Sequence, residues 1–273
     1  SERMRGESRF RSLYNGGPFN MFAIPLRDVA LFGESGRLVK DHMSVTFRNP
    51  SYHFSPGVGY GKRGEIIDAH ILPNDFAFTS EGLAITRIGR EKALILLSYL
   101  NSSFAQFALT TYAGQHKQVG YVNLLPFREA SSEQKKWITE NCNAIVKSLQ
   151  KWYLYDETTR FFLCPWMLAS ISNVSEGAEC LSSSLGKEKK ELQKRVRDND
   201  DIFWRINVRK SSTFSEDIKE IENERPKISP WPEIFNDCGQ DSCAQFLAQD
   251  VIAFTTGCSF GRWDIRYATG ERQ

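Results

Sequence analysis

No stretch of this sequence is both long and apolar enough to cross a bilayer. The most apolar run, Ala93 to Leu100, is followed at once by Asn101, Ser102, Ser103 and Gln106. A spanning helix needs about 20 apolar residues. Metal-ligand spacing is missing as well. The six cysteines, Cys142, Cys164, Cys180, Cys238, Cys243 and Cys258, are scattered, none forms a Cys-x-x-Cys pair, and none of the four histidines stands near them. Zinc is therefore not expected. There is no Walker-type phosphate loop, no His-Glu-x-x-His and no Gly-x-Ser-x-Gly. Net charge is almost absent: 35 Lys and Arg against 33 Asp and Glu leave +2. That excludes a histone-like polycation but not a local basic patch, since placement decides nucleic-acid binding. The opening Ser1-Glu2-Arg3-Met4-Arg5 is polar and charged with no apolar run behind it. The expectation is a cytoplasmic protein with reduced thiols and no membrane partner.

What is present suits a folded protein. Of 273 residues, 41% are hydrophobic and 25% charged, ordinary values for a globular chain. The length supports one large domain or two modest ones. Aromatics reach 12%, with 19 Phe, 9 Tyr and 6 Trp. They fill cores and also stack on bases.

The chain changes character along its length. Residues 1–90 are punctuated by Gly and Pro, with short β-prone runs at Ser44 to Phe47, Glu65 to Ile67 and Phe76 to Thr79. These predict antiparallel strands and turns. From Glu91 the apolar residues Ala93, Leu94, Leu97, Leu100, Phe104 and Ala108 recur at helical spacing, with Gly114 as the stop. Tyr121 to Phe127 reads as a closing strand. Ser131 ahead of Glu133 and Gln134 announces a second helix with Trp137, Ile138, Ile145, Val146, Leu149 and Trp152 on its apolar face. Ser- and Gly-rich residues 170–186 read as a loop, Lys187 to Asp201 as a charged helix with a solvated face, and Gln245 to Phe254 as a helix ending at Gly257. The predicted class is α+β: a mixed, largely antiparallel sheet with packed helices over 1–128, a helical spacer over 129–235, and a C-terminal helix and turn over 236–273.

Candidate chemistry is sparse. Gly57-Val-Gly-Tyr-Gly61 mimics a phosphate loop, but no helix pattern follows, so a turn is the better reading. Asn49-Pro-Ser-Tyr52 is close to the Asn-Pro-Pro-Tyr tetrad that holds a flipped adenine in DNA methyltransferases. Its third position is Ser, and only 48 residues precede it, too few for a domain that binds S-adenosylmethionine. Two polar clusters carry more weight. Arg48, Asn49, Tyr52, Tyr60, Lys62 and Arg63 crowd the glycine-rich stretch. Gln115, His116, Lys117, Gln118 and Tyr121 follow the long helix. These residue types read base edges and take phosphates, although a solvated loop has the same composition.

Four stretches resemble, in order, the C-terminal part of large adenine-specific DNA methyltransferases, the PglX proteins of BREX phage defence and the fused type IIG/IIL restriction-modification enzymes. They are Arg48-Asn-Pro-Ser-Tyr-His-Phe-Ser-Pro-Gly-Val-Gly-Tyr60, Ile71-Leu-Pro-Asn-Asp-Phe-Ala-Phe-Thr-Ser-Glu-Gly82, Leu96-Leu-Ser-Tyr-Leu-Asn-Ser-Ser103 with Gln118-Val-Gly-Tyr-Val-Asn-Leu-Leu-Pro126, and Thr256-Gly-Cys-Ser-Phe-Gly-Arg-Trp-Asp-Ile-Arg266. The chain departs from that pattern at Asp75, where Gly is usual, and at Tyr121, where an acidic residue is common. Residues 171–240 have no counterpart.

The resemblance implies a target-recognition region that clamps duplex DNA, with no catalytic or cofactor residues of its own. S-adenosylmethionine and adenine-N6 transfer would belong to a methyltransferase domain of the same protein, within a restriction-modification or defence system. The implied DNA contacts are Arg48, Asn49, Tyr60, Lys62, Arg63, Arg87, Arg90, Gln115, Lys117, Gln118, Tyr121, Arg262 and Arg266. The alternative is a protein-interaction module that docks to other defence subunits through the aromatic, Pro-rich Pro226 to Phe235 and the charged helix. An autonomous methyltransferase is the weakest reading.

Overall fold

The computed structural model describes residues 10–17, 19–33, 36–40, 49–159, 161–170, 173–208, 221–228 and 239–259. Its strands and helices make an α+β fold, as the patterning predicts. The strands divide into two small sheets. One has β1 (Phe10–Tyr14) in the middle, antiparallel to β2 (Val29–Leu31) and parallel to β5 (Phe76–Phe78). The other has β3 (Gly57–Gly61) in the middle, antiparallel to both β4 (His70–Leu72) and β6 (Gly82–Thr86). The chain leaves β4 through Pro73, which has no N–H to extend a ladder, and enters β5 in the other sheet.

The phosphate-loop mimic is neither loop nor turn; it is the fully buried strand β3. Its glycines let backbones approach closely. A Cβ on Gly57 would stand 2.1 Å from the carbonyl oxygen of Ile85 on β6. Glu65 to Ile67 is not a strand. Ser44 to Phe47 lies outside the described residues.

The predicted long helix is two. A short helix, α1 (Arg37–Lys40), comes earlier; α2 (Arg90–Leu100) and α3 (Ser103–Thr110) then meet at a 61° bend. The break is built from polar side chains. Ser102 caps α3, its hydroxyl accepting from Ala105 N at 3.2 Å. Asn101 donates to Ala69 O at 2.8 Å and accepts from Ala69 N at 2.9 Å. Gln106 makes the same pair of bonds with Ile67, at 2.9 and 2.8 Å. Two buried amides thus act as a substitute strand for residues 67–69, pairing both backbone groups of Ile67 and the Ala69 N–H, while Ala69 O also accepts from Phe22 N at 2.7 Å.

Tyr121 to Phe127 is not a strand either. Gln118 caps a short helix, α4 (Val119–Val122), with Val122 N bonding to Gln118 O at 3.2 Å. Val122 and Leu125, three apart, are the buried residues, a helical spacing. Helix α5 (Ser132–Trp152) starts at the predicted capping box, with Ser131 and Gln134 bonded reciprocally. After α6 (Trp166–Ser170), the predicted loop at 170–186 is mostly the first third of α7 (Val174–Asn207). Its small residues Gly177 and Ala178 are buried. Helix α8 (Gln240–Ser259) continues through Gly257 instead of stopping there. The Gly-Phe-Gly-Arg turn lies outside the described residues.

One hydrophobic cluster joins these parts, from Met21, Val58 and Tyr60 through Leu97 and Ile145 to Phe203 and Leu247. A smaller cluster of Tyr14, Ile24, Leu26, Leu72 and Phe76 sits between the sheets. No single helix among the described residues is long and apolar enough to cross a membrane.

Candidate nucleic-acid interface

The β3–β6 register decides which candidate residues meet. Gly61 pairs with Gly82 at one end of the strand pair and Gly57 with Thr86 at the other. Lys62 and Arg63 leave β3 at the first end. There the chain is joined to the connector after α3. Lys117 N bonds to Lys62 O at 2.7 Å, Gly64 N to Gln115 O at 3.1 Å, and Arg63 forms an antiparallel bridge with His116. Segments separated by about fifty residues therefore form one corner. Arg63, Gln115, His116, Gln118 and Tyr121 are exposed on it, and Lys62 is half-buried. Tyr112 joins them; its hydroxyl donates to Tyr121 O at 3.0 Å, and the two rings lie 6.1 Å apart.

Glu81, the residue before β6, holds the corner's cations. Lys62 Nζ is 3.0 Å from one carboxylate oxygen and Arg63 Nε is 2.8 Å from the other. Hydrogen bonds from Lys62 and then Arg63 keep the Glu81 carboxyl below its usual range.

Lys117 is a correction. It is 0% exposed, and its ammonium turns inward to donate to Gly64 O. The nearby charge is Asp68, itself buried, which accepts from Gly61 N at 3.1 Å and Asn20 N at 3.2 Å. Burial pushes the Asp68 carboxyl up to about 6, against the pull of those bonds and of Lys117. Lys117 is pushed down by its own burial, with Asp68 pulling the other way. This lysine is an internal brace. Tyr60 is the second correction. It is 1% exposed, within the core cluster, and burial raises its hydroxyl to about 12. Neither side chain can reach a groove from where it sits.

The remaining candidates are elsewhere. Asn49 and Arg87 are exposed at the Gly57–Thr86 end, about 13 Å along the strand from the Lys62 corner at a rise of ~3.3 Å per residue. Both have left-handed backbone, φ 52° and 63°. Arg87 lies 5.7 Å over the Tyr52 ring, and Thr86 Oγ1 donates to Tyr52 O at 2.9 Å. The adenine-tetrad mimic is thus a one-turn helix, Pro50–Tyr52, with its ring against a cation. Arg90, at the start of α2, donates to Asn143 of α5 at 3.0 Å. Arg48, Arg262 and Arg266 lie outside the described residues.

Sequence reasoning missed Glu81 and Tyr112 as members of the corner. The signal for Glu81 was its place one residue before Gly82, but that needed the β3–β6 register. Among the described residues no group of three or more His, Cys, Asp or Glu is placed to hold a metal ion. No family model matches the chain, and no curated protein matches it in sequence.

Proposed function

We propose that this chain is a duplex-DNA reading module, serving an adenine-N6 methyltransferase whose S-adenosylmethionine site lies on other residues than these. The observation that carries it is the convergence of the two polar segments at one exposed corner. Arg63 and Lys62 supply positive charge for phosphates there. Gln115 and Gln118 supply amides of the type that reads base edges. The backbone bonds between 62–64 and 115–117 fix their spacing, and the internal Lys117 supports the loop from beneath.

The test is duplex affinity measured by fluorescence anisotropy across salt concentrations. A phosphate-binding corner gives log K falling with log salt by about 0.9 per phosphate neutralised. R63A and Q118A weaken binding while the urea midpoint stays that of the parent chain. A salt-independent response defeats the reading.

A second reading, a protein-docking face, draws on Val119, Leu124 and Phe127, which are 50%, 68% and 45% exposed beside the same corner. The charged helix invoked for that reading is the middle of α7, and its Leu185, Leu192, Val196 and Phe203 are buried. It is a core helix with one solvated side. If docking is the function, L124D abolishes partner capture and leaves salt-dependent duplex affinity untouched.

A further inference from the structure

We infer that Lys62 and Arg63 form one phosphate-binding site that the chain's own Glu81 fills when no nucleic acid is bound, so that Glu81 sets the tightness and salt dependence of duplex binding. This rests on the nucleic-acid reading above and specifies how that site is controlled.

The geometry is that of an anion held at two points. One oxygen of Glu81 faces the Lys62 ammonium at 3.0 Å and the other faces the Arg63 guanidinium at 2.8 Å. A phosphodiester offers two non-bridging oxygens to the same pair of donors. The fold does not need the Glu81 side chain to shape the corner, because main-chain bonds already do so. Lys62 N donates to Glu81 O at 3.0 Å, and Glu81 N donates to Thr79 Oγ1 at 3.2 Å. The carboxylate is open to exchange, its side chain being 34% exposed beside an Arg63 that is 75% exposed. Exposed ion pairs of this kind hold weakly. Among the described residues, Lys62 and Arg63 are the cations paired with Glu81. Lys117 points inward to Gly64 O, and His116 stands beside Arg63 through the backbone bridge. With Glu81 ionised, the Lys62–Arg63–Glu81 group carries one net positive charge; with Glu81 neutralised by substitution it carries two. Exchange of one anion for another breaks and forms only hydrogen bonds, so a phosphate displaces the carboxylate without any covalent step.

The test compares the parent chain with E81Q, E81D and the triple variant K62Q/R63Q/E81Q. Each is titrated with a short DNA duplex at several salt concentrations and, separately, with inorganic tripolyphosphate. E81Q is expected to bind the duplex roughly twofold to thirtyfold more tightly at low salt, the worth of two ion pairs near the surface. Its slope steepens by about 0.9, one further phosphate. E81D retains the charge and stays near the parent, and the triple variant loses the gain. The inference is overturned if E81Q binds no more tightly than the parent, or if its urea midpoint drops sharply, which would make Glu81 a structural residue. A parent chain whose duplex affinity ignores salt defeats the nucleic-acid reading instead. In that case the tripolyphosphate titration decides the anion site alone: a gain for E81Q sustains it, and no gain removes it.

Discussion

Replacing Lys117 by Ala should damage the fold, not merely a binding surface. Its ammonium is the side-chain donor to Gly64 O, and its stem is fully buried. Truncation leaves that carbonyl unpaired, at a cost of about 1–3 kcal/mol. The deleted methylenes add about 0.8 kcal/mol each in lost burial. The sum is about 3–5 kcal/mol. With an m-value of about 2–3 kcal/mol/M in urea, the midpoint falls by about 1–2 M.

The loss should also depend on pH. The bonds from Asn20 and Gly61 go on offsetting the burial of Asp68, but the pull of the Lys117 charge is gone, so its folded pKa moves further above the ordinary carboxyl value. A raised folded pKa contributes stability that is present below the unfolded value and lost as pH rises through the folded one. The deficit of K117A relative to the parent is therefore larger at pH 8 than at pH 5. The control is R63A, whose side chain is 75% exposed; its midpoint should move by less than about 1 kcal/mol in equivalent terms. Adding D68N to K117A should recover part of the loss, as expected for contacting groups. If K117A unfolds at the parent's midpoint while losing duplex affinity, the brace is refuted and Lys117 belongs to the surface after all.

Asn101→Ala deletes both bonds to Ala69 and leaves that residue's N–H unpaired, while its carbonyl keeps the bond from Phe22 N, so thermal or urea unfolding should show a loss of about 1–3 kcal/mol. Ser131→Ala removes the capping-box hydroxyl of α5, with an expected loss of about 1 kcal/mol and slight fraying seen by hydrogen exchange at Gln134. Acid titration of D68N should separate two opposed groups. Burial holds His70 down at about 4 and Asp68 up at about 6. As pH falls from about 6.5 to 4, the His70 contribution is lost because the unfolded chain takes its proton first. Over the same window protonation of Asp68 favours the folded chain. D68N keeps only the first effect at this site, so its stability should fall more steeply with acid than the parent's; an equal slope refutes the pairing of the two.

Much of the local structure was legible because it follows from local chemistry. The cap at Ser131 and the apolar spacing of Ile138, Ile145 and Leu149 specify α5 without reference to anything distant. Phe76–Phe78 reads as a strand for the same reason. The errors fall where a distant partner decides. Gly57-Val-Gly-Tyr-Gly61 has the composition of a turn, yet it is a central strand, with a glycine at 57 where the β6 backbone comes too close for a Cβ and at 59 where the Leu72 and Tyr14 side chains do. Residues 174–186 look like a loop by their Ser and Gly, yet small residues such as Gly177 are what let a helix pack closely. Asn101, Ser102 and Gln106 read in sequence as solvent-facing residues, yet they are buried, break a helix and tie down residues 67–69.

The candidate site divides along the same line. Sequence alone determined which residue types stand near each other in the chain: cations at 62–63, amides and aromatics at 115–121. Only the tertiary structure decided that these two segments form one corner, since backbone bonds between Lys62, Gly64, Gln115 and Lys117 link positions that no local pattern connects. It also decided which way each side chain faces. Lys117 and Arg63 are both loop cations by composition. Burial turns the first into a support for a carbonyl and leaves the second in water, because a charge enters the interior only where a fixed partner awaits it.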